Sequence, residues 1–421
     1  MLTKAPKGTK DVLPSQSGKW QFVEAVIRDI CARFGYREIR TPVFEHTELF
    51  LRGVGDTTDI VQKEMYTFED KGGRSLTLKP EGTAGAVRSF VENSLYAEAQ
   101  PTKMYYLNCP VFRYERPQAG RLREHHQFGV EVFGAQGPSI DAEVISVALT
   151  LFHTLGIKSL ALNINSIGCK KCRPAYNAAL REYLKQKEEG LCRNCRERMV
   201  TNPLRTLDCK EETCRDIVHE APVMLDCLCD ECSAHFEGLK KRLEAAGIAY
   251  SVNPFIVRGL DYYTKTVFEI ISTDIGAQGT VCGGGRYDGL VEELGGPSMP
   301  GIGFGLGLER LLLVLESLGI ELPEPRLCDA YVCTLGEAAA VEGFCITSKL
   351  RADGIKAECD HINRSLKAQL KYAAKLGAKF VAIIGDDELQ KAVAVVRDME
   401  KSEENTVPLE ELNLYIKAGI R

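Results

Sequence analysis

Between Val111 and Gly134 the chain reads VFRYERPQAGRLREHHQFGVEVFG, and Arg113, Arg116, Arg121 and Arg123 crowd into eleven of those residues. Guanidinium forks bind phosphate oxygens in pairs, so a cationic loop of this density suits a nucleotide or an RNA backbone. A surface hairpin laced with ion pairs would use the same residues, and the loop alone does not choose between the two. The stretch that follows adds a second feature. With a period of two, Gln127, Gly129 and Glu131 share one strand face, while Phe128, Val130 and Val132 take the other. If the strands flanking the loop pair, a carboxylate and the Arg113 guanidinium stand over one sheet surface.

Three further stretches carry chemistry-bearing residues. In LTLKPEGTAGAVRSF a strand runs into Pro80, Glu81, Gly82 and Thr83 and then a small-residue helix. Glu81 there suits either the positive end of that helix or a substrate ammonium. In GIGFGLGLERLLLVL, Gly301, Gly303, Gly305 and Gly307 leave one strand face bare for a flat ring or another backbone, and Arg310 follows on a helix. No Gly-Lys-Ser/Thr follows these glycines and no strand precedes them, so they are neither a P-loop nor a dinucleotide fingerprint. Tight packing at a subunit interface would explain the glycines but not the arginine. The fourth feature is a pair of clusters, VRGLDYYTKTVFEI and CGGGRYDGL. Each joins glycine, tyrosine and arginine (Arg258, Tyr262, Tyr263; Arg286, Tyr287). Singly such tyrosines satisfy core hydrogen bonds; two clusters in one chain point to a pocket.

The elements that must position these residues read as follows. SGKWQFVEAVIRDICARFGY has Phe22, Val26, Ile30 and Phe34 at helical spacing, with Gly35 where a helix stops. MYTFEDKGGRSLTLKP is a hairpin with Lys71, Gly72 and Gly73 at its tip, and TKMYYLNCPVFRYE and HQFGVEVFG are the strands beside the arginine loop. Strands joined mainly by hairpins give an antiparallel sheet, not a doubly wound one. From 169 to 247 the texture changes to short, charged, cysteine-bearing helices, an insertion after which strand patterning resumes. Pro323 and Pro325 mark a linker, and beyond it strands and helices alternate as in a small α/β domain with a mixed or parallel sheet.

With 421 residues, 44% hydrophobic and 26% charged, the chain is long enough for two or three domains. A net charge of -5 excludes indiscriminate coating of nucleic acid, so any RNA contact must come from local basic patches. No eighteen-residue apolar run occurs and the first residues lack the apolar core of a signal peptide, so no membrane association and a cytoplasmic location are expected. Nine of the sixteen cysteines lie between Cys169 and Cys232. Cys169/Cys172, Cys192/Cys195 and Cys229/Cys232 are C-x-x-C pairs with Cys209, Cys214 and Cys227 between them, which fits one tetrahedral thiolate site for structural zinc as well as it fits plain buried thiols.

KPEGTA, FRYERPQAGRLREHHQFGVEVFG, RGLDYYT, GGGRYDGL and GIGFGLGLERLLL, in that order, resemble the histidyl-tRNA synthetases of class II over essentially the whole chain. The resemblance implies an α+β fold: an antiparallel-sheet catalytic domain over 1–325, interrupted by the helical Cys-rich insertion 169–247, then an anticodon-binding α/β domain over 326–421. It implies a homodimeric ligase that joins L-histidine to tRNA(His) with ATP and Mg2+. Arg113 would grip the α-phosphate and the carboxyl side of the adenylate, and Arg121 and Arg310 the outer phosphates. The bare glycine strand would underlie the adenine, and Arg258 would act at the α-phosphate as the catalyst of activation. Glu81, Gly82, Thr83 and Gln127 would bind the amino end of histidine, and Glu131 and Tyr263 the imidazole edge, with Tyr262 and Tyr287 lining the pocket. Arg116, Arg123 and Gln118 would face the tRNA acceptor end. In NRSLKAQLKYAAKLGAKF, Arg364, Lys367, Lys371 and Lys375 share one helical face, a solvated stripe or an RNA contact. Two rivals differ in class or substrate. A catalytically silent paralogue serving as regulatory subunit of ATP phosphoribosyltransferase usually lacks the C-terminal domain and degrades the arginine motif. A threonine or proline synthetase would lack Glu131 with RGLDYY and GGGRYDGL.

Overall fold

The computed structural model describes residues 3–420 apart from 56–57, 119, 121 and 273–278. The chain divides into two compact units, Met1–Leu322 and Pro323–Arg421.

The first unit is organised by an eight-stranded sheet in the spatial order Arg37–Glu38, Thr102–Phe112, Glu124–Phe133, Gly301–Gly307, Thr280–Arg286, Thr264–Ser272, Leu160–Ser166, Ser251–Val252. Its six central strands pair antiparallel, and only the two-residue outer strands pair parallel. Alternation decides what each face does. Phe128, Val130 and Val132, with Ile302, Phe304 and Leu306 from the glycine strand, enter one core against the helices Pro14–Arg33 and Pro138–Thr154. The glycines and Glu131 face the opposite side, which carries the site. Helix Pro14–Arg33 buries Ile30 as expected, but the rest of its buried face is Val23, Ile27 and Cys31, one residue along from the expected stripe, with Phe22, Val26 and Phe34 packed on its flank. An apolar face more than 100° wide admits either stripe, and the sheet selects the phase. The helix ends as the sequence suggests: Gly35 takes φ +77°, and Gly35 and Tyr36 N–H groups donate to Ala32 and Cys31 carbonyls at 3.1 and 2.8 Å.

A three-stranded sheet, Phe44–His46, Ser75–Leu78, Tyr66–Glu69, contains the expected hairpin. Its turn is held by the Asp70 carboxylate, which accepts from Gly72 and Arg74 N–H at 2.8 and 3.0 Å. The insertion folds as helices Arg173–Gln186, Arg193–Thr201, Glu212–His219 and Asp230–Ala245; the apolar residues of the first three join a second core with Phe90, Phe133, Tyr262, Tyr263 and Tyr287, while Phe236, Leu239 and Leu243 of the last enter the first core. That shared core makes the insertion a wall of the site.

The second unit is a five-stranded mixed sheet ordered Ala357–Cys359, Ala330–Thr334, Phe380–Ile384, Val393–Asp398, Glu403–Pro408, parallel among the first three and antiparallel thereafter. It has its own core of Ala330, Val332, Leu350, Ala382, Ile384, Val396 and Leu412. Helix Leu366–Lys375 presents Lys367, Lys371 and Lys375 to solvent. Arg364 does not belong to that open stripe: it pairs with Asp360 at 2.5 Å and stacks 4.3 Å over the Tyr372 ring. Among the described residues no helix is long and apolar enough to cross a membrane.

Candidate active site

Glu131 has no solvent exposure. Its Oε1 accepts from Thr83 Oγ1 at 2.7 Å and from the Tyr106 hydroxyl at 3.2 Å, and its Oε2 accepts from the Tyr287 hydroxyl. Burial pushes its carboxyl up to about 8, against the opposing effect of the Tyr287 and Thr83 hydrogen bonds and with further upward pressure from Glu81. The centre of the site is therefore a fully buried carboxyl, its pKa raised by burial, set among three hydroxyls.

Around it lie the other residues expected at a substrate amine and ring. Glu81 caps the helix Thr83–Glu92, its carboxylate accepting from Thr83 and Ala84 N–H at 2.7 Å each, and burial raises its pKa. The two readings of Glu81 are thus compatible: the helix N-terminus fixes a buried carboxylate at the edge of the cleft. Gln127 Oε1 accepts from Gly82 N–H at 3.1 Å, joining the two segments. Tyr262 packs against Tyr263 and Tyr287 with ring centroids 4.6 and 5.6 Å away.

The glycines record where the site side chains lie. A Cβ on Gly303 would collide with the Glu131 carboxylate, one on Gly301 with the Tyr287 ring, and one on Gly283 with the Arg258 guanidinium. Cβ atoms on Gly82 and Gly129 would both strike the Tyr106 ring. The inner half of the bare glycine strand is thus covered by the protein's own Tyr287 and Glu131; only Gly305 and Gly307, nearest to Gln127 and His125 at 3.7 and 3.9 Å, leave room for a flat ring. This narrows the expected adenine platform to one end of the strand.

The cations line the remaining side. Arg113 Nε donates to the Pro80 carbonyl at 2.8 Å. Arg258 pairs with Glu269 at 2.5 Å while its buried Nε has no partner. Arg310 Nη1 donates to the Thr280 carbonyl at 2.7 Å, and Thr280 Oγ1 donates to Glu269 Oε2 at 3.3 Å. The neighbour of Arg310, Glu309, accepts from the His126 ring at 2.8 Å and so pins the helix start to the strand bearing Glu131. Arg121 lies outside the described residues. Arg116 and Gln118 are exposed; Arg123 is engaged within its loop, 4.1 Å over the Tyr114 ring and donating to the Glu115 carbonyl at 3.0 Å.

Two sequence readings need correction. Arg286 does not line a pocket: it is fully buried, paired with Asp141 at 2.6 Å and Asp288 at 3.2 Å, and Asp141 also binds His235 at 2.8 Å. Adjacent strand residues point to opposite faces, so Arg286 braces the support beneath Tyr287 instead of sharing its cleft. The cysteines form two groups of four, Cys169/Cys172/Cys229/Cys232 and Cys192/Cys195/Cys209/Cys214, with the four sulfurs of each within 4.8 Å of one another and Cys227 in neither. Three C-x-x-C pairs suggested one such site because spacing does not encode which pairs meet. Sequence reasoning also missed Tyr106 and Glu269. The paired glycines Gly82 and Gly129 are the trace that Tyr106 leaves in the sequence, and the glycine run facing Arg258 is the nearest trace of the pair it makes with Glu269.

The chain is similar to known proteins over nearly its full length. A family profile described as histidyl-tRNA synthetase matches residues 8–311, and one described as anticodon binding domain matches 329–419. A histidine–tRNA ligase of Caldanaerobacter subterraneus subsp. tengcongensis is 61% identical over 417 residues, 99% of this chain and 100% of its own. The crystal structure of apo Staphylococcus aureus histidyl-tRNA synthetase superposes with a TM-score of 0.85 at 41% identity, covering 99% of this chain and all of that one. An ATP phosphoribosyltransferase regulatory subunit/histidyl-tRNA synthetase from Bacillus halodurans gives a TM-score of 0.65 over 91% of this chain and 98% of its own at 21% identity, a likeness of fold alone. On these matches, which run the length of both units, the chain belongs to the histidyl-tRNA synthetase family of class II aminoacyl-tRNA ligases.

Proposed function

We propose that the Met1–Leu322 unit activates L-histidine and that the Pro323–Arg421 unit helps to hold tRNA(His), the whole chain acting as a histidine–tRNA ligase. The observation that carries the reading is the Glu131 carboxyl, fully buried among the Thr83, Tyr106 and Tyr287 hydroxyls. A ring with two polar nitrogens suits such a setting, and an apolar side chain of the same size would leave those groups unpaired, a discrimination of roughly 10⁴ to 10⁵. Glu81, Gly82, Thr83 and Gln127 would take the substrate ammonium, and Tyr262, Tyr263 and Tyr287 would fix the ring plane.

ATP enters as its Mg2+ complex. Arg113 and Arg258 would hold the α-phosphate, and Arg121 and Arg310 the outer phosphates. A carboxylate oxygen of histidine attacks the α-phosphorus, the bond to the β-phosphate oxygen breaks, and pyrophosphate leaves. Such a step asks the protein for positioning and charge neutralisation, not a covalent nucleophile. The acyl group then passes to a hydroxyl of the terminal ribose and AMP departs. Arg116, Arg123 and Gln118 remain candidates for the acceptor end, and the lysine face of helix Leu366–Lys375 for RNA phosphates. A homodimer is supported by apolar residues left open on the small sheet, Val43, Phe44 and Phe68 at 40%, 51% and 44% exposure. The cysteine-rich insertion offers thiolate sets suited to structural zinc, and a cytoplasmic location accords with the role in translation.

The test is pyrophosphate exchange with each of the twenty amino acids in turn. Exchange with histidine alone is expected, and exchange with none would instead favour the regulatory-subunit reading.

A further inference from the structure

The two cysteine groups have the geometry of metal sites, and they differ in what they hold. Four thiolates arranged tetrahedrally about zinc at ~2.3 Å stand about 3.8 Å apart. The recorded sulfur separations are 3.7 Å for Cys169–Cys172, 3.9 Å for Cys169–Cys229 and 3.8 Å for Cys192–Cys209. A disulfide would need about 2.05 Å. An iron–sulfur cluster spreads its cysteines over several irons, which holds four sulfurs farther apart than the 4.8 Å seen in each group. Backbone donors supply the charge compensation that bound thiolates require: Cys229 N–H donates to Cys172 Sγ at 3.2 Å, Lys171 N–H to Cys169 Sγ at 3.4 Å, and Cys192 N–H to Cys214 Sγ at 3.1 Å.

The first group closes the insertion at its base, where the chain leaves strand Leu160–Ser166 and where helix Asp230–Ala245 begins. Beside it, Arg173 donates to the Tyr263 carbonyl, and Glu231 binds Lys265 at 2.9 Å. The second group brackets the turn 202–206 along the chain. From that turn Arg205 Nη1 donates to the Arg258 carbonyl at 2.8 Å, and Asn202 donates to Asp261 at 2.9 Å. Nearby, Arg198 donates to Asp59 at 2.9 Å.

We propose that the insertion is a double zinc knot, two separate mononuclear Zn–S4 sites. The Cys192/Cys195/Cys209/Cys214 site makes Arg205 a positioning residue for the backbone that presents Arg258 and its two tyrosines. The zinc part stands on the sulfur geometry, and only the positioning part rests on the proposed activity. Zinc at that site fixes the turn, the turn fixes the Arg258 carbonyl, and the guanidinium is thereby aimed.

The experiment is metal analysis of the full-length protein purified reduced and without chelator, together with single-turnover pyrophosphate exchange. Two zinc ions per chain are expected, falling to one in Cys172→Ser and to one in Cys209→Ser. None, one, or iron in their place in the wild-type protein overturns the double knot, whatever the activity. Should the serine variants fail to fold, Arg205→Met serves alone. It keeps both cysteine sets, so it should retain two zinc ions and lose about five- to tenfold in the rate of histidine-dependent exchange, the scale of one hydrogen bond, with KM for ATP and histidine within about twofold. Arg205→Lys, which can still donate to the Arg258 carbonyl, should recover most of that rate. An unchanged rate in Arg205→Met, or a loss confined to KM, overturns the positioning role. Absence of histidine exchange in the wild-type protein strikes the proposed function and is read separately from the zinc count.

Discussion

Glu131 is the residue whose chemistry is most exposed to test, because its proton is shared between the protein and the expected substrate. Burial raises the carboxyl to about 8, so in the free protein at neutral pH it is mostly protonated. Glu81, Tyr106 and Tyr287 face it, and burial raises the pKa of all three, so the two tyrosines leave the neutral range while the Glu81 carboxyl stays a second titratable group beside Glu131. A neutral imidazole, ordinarily near 6.5, brings no proton, so the carboxyl and the ring together carry one between pH ~6.5 and ~8 and lose it above. Histidine KM should therefore rise above pH ~8, and Glu131→Gln should flatten that rise while costing histidine activation about 10- to 100-fold, the loss of a charge-assisted hydrogen bond. Steady-state exchange from pH 6 to 9 measures both. The sign for stability follows from the same raised value. A carboxyl that holds its proton in the fold contributes stability that is full below its unfolded pKa of about 4.3 and is lost as pH rises through about 8. Thermal melts of unliganded protein should show wild type losing ground to Glu131→Gln between pH 6 and 8.5. A second residue-scale test follows from packing: Gly301→Ala places a methyl against the Tyr287 ring alone, so it should displace the hydroxyl that donates to Glu131 and weaken histidine binding more than it weakens the fold, checked by ligand titration and circular dichroism. Glu131 was legible from strand alternation. Tyr106 was not, since MYYLN offers adjacent tyrosines and only the glycines that receive one ring, far away in sequence, say which points inward.

At the scale of elements, the arginine motif and strand Thr264–Ser272 work as one piece. Arg258 reaches over Gly283 to Glu269, which also binds Thr280, whose carbonyl holds Arg310. The carboxylate thus stands between two cations assigned to different phosphates. Arg258→His should cut the exchange rate by about 10² or more, the effect of losing one preorganised donor to developing charge. Transfer from preformed histidyl-adenylate should suffer much less, since no new bond forms at phosphorus. Glu269→Gln should cost less than Arg258→His, and the double variant should lose less than the sum of the two in free energy, because residues in one network are not additive. Single-turnover measurement of both half-reactions separates these outcomes, and additive losses would mean that the pair does not act together. Strand and hairpin patterns were readable because one face of the sheet is a core and the other is not. The partner of Arg258 was not readable, because a glutamate on an otherwise apolar strand looks like any solvent-facing residue until the opposing strand is known.

For the whole molecule, the change of texture after Pro323 foreshadows a second unit with a separate core, and the mixed order of its sheet, two antiparallel strands after three parallel ones, follows from a hairpin that strand and helix alternation does not announce. The sorting of eight of the nine insertion cysteines into two groups of four was equally hidden, since contact between Cys172 and Cys229 depends on where a helix returns and not on spacing. The lysine face tests the division of labour between the units. Lys367, Lys371 and Lys375 recur every fourth residue on an exposed helix and form no ion pair among the described residues, whereas Arg364 is already committed to Asp360. Three free cations in a row either neutralise phosphates or merely keep the surface solvated. If they meet RNA, replacing all three by glutamine releases about 0.7 to 0.9 of salt slope per contact, so the dependence of log binding on log salt should flatten by roughly 2 to 3. Aminoacylation at low tRNA should fall while histidine-dependent pyrophosphate exchange, which needs no RNA, keeps its wild-type rate. Filter binding across a salt series gives the slope and the exchange assay gives the control: an unchanged slope returns the lysines to solvent, and a loss of exchange would mean that the second unit supports activation as well as RNA.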